Sequence, residues 1–151
     1  MTRDGDGLFT SMGVRALEAC DRAGVVVVAI SERPHDEVAA DARVLGLDDY
    51  LFDEGFVVAG EEHELPVSAT RAEAIATHAR ARALALEDCV GVGASLDLAP
   101  AVGTFWLADG AADDDPVLQL ELARHPNVRV AESTHGPAVY EAVVTTLAER
   151  R

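Results

Sequence analysis

Two side chains stand where a strand gives way to a loop: Ser95 and Asp97. Residues 89–92 are a short apolar run that reads as a buried strand, and it breaks at Gly93 into Ala94-Ser95-Leu96-Asp97. In an open α/β sheet, ligands bind just beyond the carboxyl ends of the strands. A hydroxyl and a carboxylate at such a place could orient a substrate or hold a cation. The loop lacks a further acid, because Ala94 carries only a methyl group. Gly91-Val92-Gly93 echoes a dinucleotide loop but has no third glycine. Ser95 has no Gly-x-Ser-x-Gly elbow around it. His35, His63, His125 and His135 show no metal-ligand spacing, and His78 is expected on the surface of an Ala-rich helix. Asp113-Asp114-Asp115 reads as a solvated acidic loop. Cys20 and Cys89 read as small core hydrophobes.

The elements that must position this loop alternate. A helix is expected over 11–23, closed by Gly24. Residues 25–30 are a β-branched run without polar alternation, the pattern of a strand covered on both faces. Arg33 precedes a proline, so the next helix starts near His35 and stops at Gly46. Residues 47–52 read as a connector, 56–59 as a strand and 60–67 as a hairpin or loop. Ser68 or Thr70 caps a helix expected over 71–86. After the strand at 89–92 come a turn at 96–101, a strand at 104–108, a helix at 117–123, a strand at 128–130 and a helix at 137–149. Helices and strands in this order specify an α/β fold with a mostly parallel sheet, although the chain opens on a helix.

At 151 residues one domain is expected. The core is built from Ala, Val and Leu, because aromatic residues make up only 5% of the chain. Acids number 27 against 12 bases, and every base is Arg. A net charge of −15 repels nucleic acid and anionic membranes, so neither is an expected partner. No apolar run reaches the roughly 20 residues that span a bilayer. The first residues lack the apolar core of a secretory signal. A cytoplasmic location is expected. The acidic, Lys-free, Ala-rich composition fits a salt-accumulating organism, where ionic strength screens self-repulsion. A GC-rich genome would bias Arg and Ala in the same direction.

Several segments, taken in order, resemble the haloacid dehalogenase (HAD) superfamily, and most closely its Cof-type and sucrose- or phosphoglycolate-phosphatase branch. Ile30-Ser31-Glu32-Arg33-Pro34 is similar to the family strand ending Thr-Gly-Arg-Pro. Asp53-Glu54-Gly55 is similar to its Glu-Asn-Gly turn, and Thr70-Arg71-Ala72 to its Lys-Gly motif opening a helix. Gly93-Ala94-Ser95-Leu96-Asp97 is similar to its Gly-Asp-Ser-x-Asn-Asp loop. Gly136-Pro-Ala-Val-Tyr-Glu-Ala-Val suits its final helix. The resemblance spans nearly the whole chain.

It implies a three-layer Rossmannoid core and hydrolysis of phosphoric monoesters on phosphorylated small molecules, with Mg²⁺ as cofactor. The family's nucleophilic Asp and an acid–base Asp two residues on stand at the end of the first strand. Asp4-Gly5-Asp6-Gly7 supplies that spacing, but only Met1-Thr2-Arg3 precede it. The preferred reading is that the first central strand is missing and Asp6-Gly7 lies in the loop before the first helix. The strands at 25–30 and 89–92 would then either pair directly or leave the sheet interrupted. By resemblance Ser31 and Arg71 hold the phosphoryl oxygens, Arg71 replacing the family's Lys. Asp97 is left as a metal-binding acid with Ser95 beside it, and Ala94 replaces the first metal-binding Asp. Cap sequence between 59 and 68 is almost absent. The expected function is thus a HAD-like phosphatase with activity lost or weakened. The alternatives are an active enzyme using Asp4 and Asp6, and a non-catalytic interaction domain that could form a homo-oligomer.

Overall fold

The computed structural model describes residues 11–108 and 115–150, which form two compact units. One spans residues 25–86. It runs β1 (Val28–Ile30), α2 (His35–Leu45), β2 (Asp49–Phe52), β3 (Gly55–Val58), β4 (Glu61–Glu64) and α3 (Arg71–Ala81). The other is built from α1 (Ser11–Arg22) and the chain from Glu87 onward. It adds β5 (Val90–Gly93), a 3-10 turn (Leu96–Ala101), β6 (Thr104–Leu107), α4 (Pro116–Arg124), β7 (Val128–Val130) and α5 (His135–Glu149). Among the described residues no helix is long and apolar enough to cross a membrane.

In the 25–86 unit the sheet order is β1-β2-β3-β4. β1 runs parallel to β2, and β2, β3 and β4 form an antiparallel meander. Alternation along the strands divides the side chains between two faces. Tyr50, Phe52 and Val57 meet Val38 of α2. On the opposite face lie Asp49, Leu51 and Phe56, and there α3 packs against β3 with buried Ala74, Ile75, His78 and Ala79. α2 ends as expected at Gly46, whose φ of 68° lets Leu47 N–H reach back to the Ala42 carbonyl at 2.8 Å. Thr70 and Glu73 form a reciprocal capping box that fixes where α3 begins.

Three expectations are corrected here. Residues 47–52 are not a connector, since Asp49–Phe52 form β2. The strand at 25–30 shrinks to Val28–Ile30 and is only half covered, with Val25, Val26 and Ile30 each more than a third exposed. Among the described residues β1 has a ladder with β2 alone. The helix at 71–86 stops at Ala81, because Ala83 turns to φ 54° and Leu84 N–H closes onto the Ala79 carbonyl.

In the other unit β5, β6 and β7 are parallel, with β6 central. Trp106 faces Ala138 and Ala142 of α5, and α1 packs along α5. Phe105 and Leu107 face the 3-10 turn and Leu118 of α4. The Phe105 ring lies so close to β5 that a Cβ at Gly91 would meet its Cδ2 at 2.7 Å. The glycines of Gly91-Val92-Gly93 therefore make room for a neighbouring side chain, which accounts for them without a nucleotide. β5 and β1 belong to separate sheets. Direct pairing of the two strands is absent among the described residues.

The β3–β4 turn places Ala59 at φ 51° and Gly60 at φ 83°. The left-handed region costs a residue with a Cβ about 1–2 kcal/mol. Ala59→Gly should therefore raise stability by roughly 0.5–1 kcal/mol, read as a higher urea midpoint at unchanged slope.

Candidate functional site

Ser31 continues the β1–β2 ladder, its N–H bonding the Leu51 carbonyl at 3.1 Å. Its hydroxyl oxygen accepts twice from Arg33, from the backbone N–H and from Nε, each at 3.2 Å, which engages the oxygen's lone pairs and not its O–H. Arg33 is held in turn by Asp41, 2.5 Å from its Nη2. Arg71 is the first residue of α3, and its Nη1 donates to the Ser31 carbonyl at 2.6 Å. Its Nη2 lies 3.4 Å from Glu32 Oε1. The two expected phosphate-holding residues are thus brought together, 40 positions apart in sequence, but through the Ser31 backbone. A shallow cleft of about 210 Å³ opens beside them, lined by Glu32, Asp53, Thr70 and Arg71 among others. Its one guanidinium faces Glu32, and Asp53 adds a second carboxylate to the lining. An incoming anion must compete with Glu32 for Arg71.

Ser95 and Asp97 belong to the other unit. β5 ends at Gly93, whose carbonyl accepts from Ala108 N–H at 2.7 Å. Ser95 is extended and caps the 3-10 turn, its Oγ accepting from Asp97 N–H at 3.3 Å. Asn127 holds that turn from below, donating to the Ala99 carbonyl at 2.8 Å and the Val102 carbonyl at 3.0 Å. Ala94, Ser95 and Asp97 are all exposed. Mg²⁺ requires near-octahedral oxygen ligation with at least one or two well-placed carboxylates. Here one carboxylate stands beside a methyl group, and no group of three His, Cys, Asp or Glu side chains suited to a metal occurs among the described residues. Those residues do not make a Mg²⁺ site. Asp4 and Asp6, and Asp113 and Asp114 of the acidic loop, lie outside the described residues. Asp115 caps α4, accepting from Val117 N–H at 2.9 Å.

The most highly organised polar cluster was not anticipated. His78 is not on the surface: it is 4% exposed and its Nε2 lies 2.6 Å from Asp49 Oδ2. A carboxylate can only accept, so His78 donates from Nε2. Arg82 Nε reaches the same oxygen at 2.8 Å, and Arg82 Nη2 binds Oδ1. Ala59 N–H donates to Oδ1 at 3.2 Å. Burial alone would push the Asp49 carboxyl up, but the Arg82 hydrogen bond, the Ala59 N–H and His78 together hold it below the usual carboxylate range. The Asp49 bond raises the Arg82 guanidinium further. Partners 29 and 33 residues away give no local sequence signal. The available cue was an Asp-Asp pair followed by Tyr-Leu-Phe, an acid opening a strand-like run. On the opposite face His35 stacks on Phe52 at 4.5 Å and meets the Tyr50 hydroxyl at 3.1 Å. Burial, aided by Glu62, pushes that phenol up, so it is no activated nucleophile. Burial likewise pushes up both cysteine thiols.

No protein-family model matches the sequence, and no curated protein matches it significantly. Solved structures do. A Thermoplasma acidophilum protein superposes with a TM-score of 0.70 at 11% identity, over 99% of this chain and 94% of its own. The 3-deoxy-D-manno-octulosonate 8-phosphate phosphatase of Moraxella catarrhalis, solved with magnesium, phosphate and sugar, superposes with a TM-score of 0.65 at 15% identity, over 97% and 76%. A Legionella pneumophila protein assigned to subfamily III A of the HAD superfamily hydrolases superposes with a TM-score of 0.64 at 16% identity, over 97% and 72%. The fold is HAD-like. At these identities the likeness establishes architecture, and the chemistry has to be argued from the residues of this chain.

Asp49→Asn should destabilise the chain at neutral pH by about 3 kcal/mol, because it leaves Arg82 and His78 facing a neutral group. The lowered folded-state pKa means that the carboxylate's contribution is complete above the ordinary value near pH 4 and fades as the pH falls through the folded value. Urea midpoints of the two proteins should therefore converge in acid. A gap that persists unchanged would show that the Asp49 pKa is the same in the folded and unfolded chain, against the lowered value its partners impose.

Proposed function

We propose that this chain is a HAD-like protein derived from Mg²⁺-dependent phosphoric monoester hydrolases, with hydrolysis lost or severely weakened. One observation carries the reading. The loop after β5, where the family's acids bind metal, presents Ala94, a Ser95 hydroxyl engaged in capping, and a single carboxylate from Asp97. The Ser31–Arg71 pair supports the same reading. Its guanidinium, at a position that holds phosphoryl oxygens in the family, already donates to the Ser31 carbonyl and faces Glu32. An Arg in place of the ammonium keeps a permanent charge, but as a planar fork that already bonds a carbonyl. The sequence motifs favour the Cof-type branch, and two of the structural neighbours described above are an octulosonate 8-phosphate phosphatase and a subfamily III A hydrolase. A phosphorylated small molecule is the ancestral substrate class, and a cytoplasmic setting suits it.

Phosphate release from p-nitrophenyl phosphate, measured with Mg²⁺ in low and in molar salt, should stay at the no-protein background. Asp4→Asn should leave it there. Mg²⁺-dependent release that Asp4→Asn abolishes would overturn the reading and favour an active enzyme with Asp4 as nucleophile.

A further inference from the structure

We propose that the outer edge of β4 takes up an extended basic segment of another protein as a further strand. β4 pairs with β3 and with no other strand among the described residues, and all four of its residues are exposed. In an antiparallel pair, opposed residues alternate. One pair exchanges both backbone bonds, and the next turns its N–H and C=O groups outward. Leu65 N–H bonds the Glu54 carbonyl at 3.0 Å, which marks those two as an exchanging pair. By alternation Phe56 with His63, and Val58 with Glu61, are exchanging pairs as well. Glu62 and Glu64 lie between them, so each offers one N–H and one C=O on the open side. Such a row is what strand addition uses.

The side chains along the edge decide which strand fits. Residues 53–64 hold five acids, Asp53, Glu54, Glu61, Glu62 and Glu64, and no Arg. An average stretch of twelve residues in this chain holds about two acids and one Arg. Charge is therefore concentrated on this hairpin beyond what the acidic composition supplies. Among the described residues the one base within ion-pair reach of the β4 carboxylates is His35, its Nδ1 3.8 Å from Glu62 Oε1. Opposite charges placed directly across a strand pair attract, and like charges repel. In an antiparallel addition the residues across from Glu62 and Glu64 are two apart, so they share the face of those carboxylates. The residue between them lies across from His63, whose ring stacks on Phe56 at 5.1 Å. The fitting segment thus reads basic–apolar–basic. β4 is only about 14 Å long, so the contact is short and a dissociation constant on the order of 100 μM is expected.

The full chain is titrated with the capped peptide Thr-Arg-Val-Arg-Thr in about 0.1 M salt, where charges within roughly 10 Å still attract. Amide NMR should show saturable binding, with the largest shifts at the Glu62 and Glu64 amides. The peptide Thr-Glu-Val-Glu-Thr should not bind at about 1 mM. N-methylation of both Arg amides removes the bonds to the edge and should weaken binding at least about tenfold. Glu62→Gln with Glu64→Gln should weaken it at least about fivefold. Glu18→Gln with Glu87→Gln, an equal loss of charge at exposed sites in the other unit, should leave it within about twofold. Circular dichroism should show both double variants folded, since all four side chains are exposed. No binding of the basic peptide overturns the proposal. So does an N-methylated peptide that binds equally well, because attraction would then act without a strand. An equal response to the two double variants overturns it too.

Discussion

The 25–86 unit is organised around one buried carboxylate. Asp49 opens β2 on the face turned to α3, and four hydrogen bonds converge on it from three places: the hairpin turn, the body of α3 and the residue just past its end. A buried ionised acid is tolerated only when its lone pairs are met by donors and opposing charge. That requirement fixes the register of β2, since a slip by one residue would turn Asp49 toward Val38 and Val57. It also holds Ala59 in a left-handed turn that an alanine would otherwise avoid. The helix anchored by this cluster is the one that starts with Arg71. The cluster thus stands behind the cleft as a structural support, one helix length away from it.

The unit built on β5, β6 and β7 rests on packing and not on charge. Phe105 needs two glycines opposite it, and Trp106 needs alanines on α5. Large rings against minimal side chains explain how a chain with few aromatics fills two layers. They also explain why a glycine pattern in β5 can mimic a nucleotide loop.

Much of this was legible in the sequence. Periodicity and turn residues located α2, with Gly46 as its stop, and placed β7 and the 3-10 turn. The motif positions Ser31, Arg71, Ser95 and Asp97 all fall at element ends, where such residues can act. What escaped was long-range. Asp49 breaks the apolar pattern of β2, and the groups that neutralise it lie a helix away, so a strand read as a connector and a buried histidine as a surface one. The engagement of the Arg71 guanidinium was equally invisible, because residue type reveals a donor or acceptor and not whether it is already taken.

The outer hairpin strand β4 has a consequence of its own. Glu61, Glu62 and Glu64 are exposed on a strand that pairs only with β3 among the described residues. An open strand edge invites addition of another strand, and successive additions make fibrils. Here any copy approaching that edge meets like charge along its length, so sheet growth is opposed from the start at neutral pH. That protection comes from charge and not from shape, so the side chains of a single exposed strand guard backbone groups that would otherwise be adhesive.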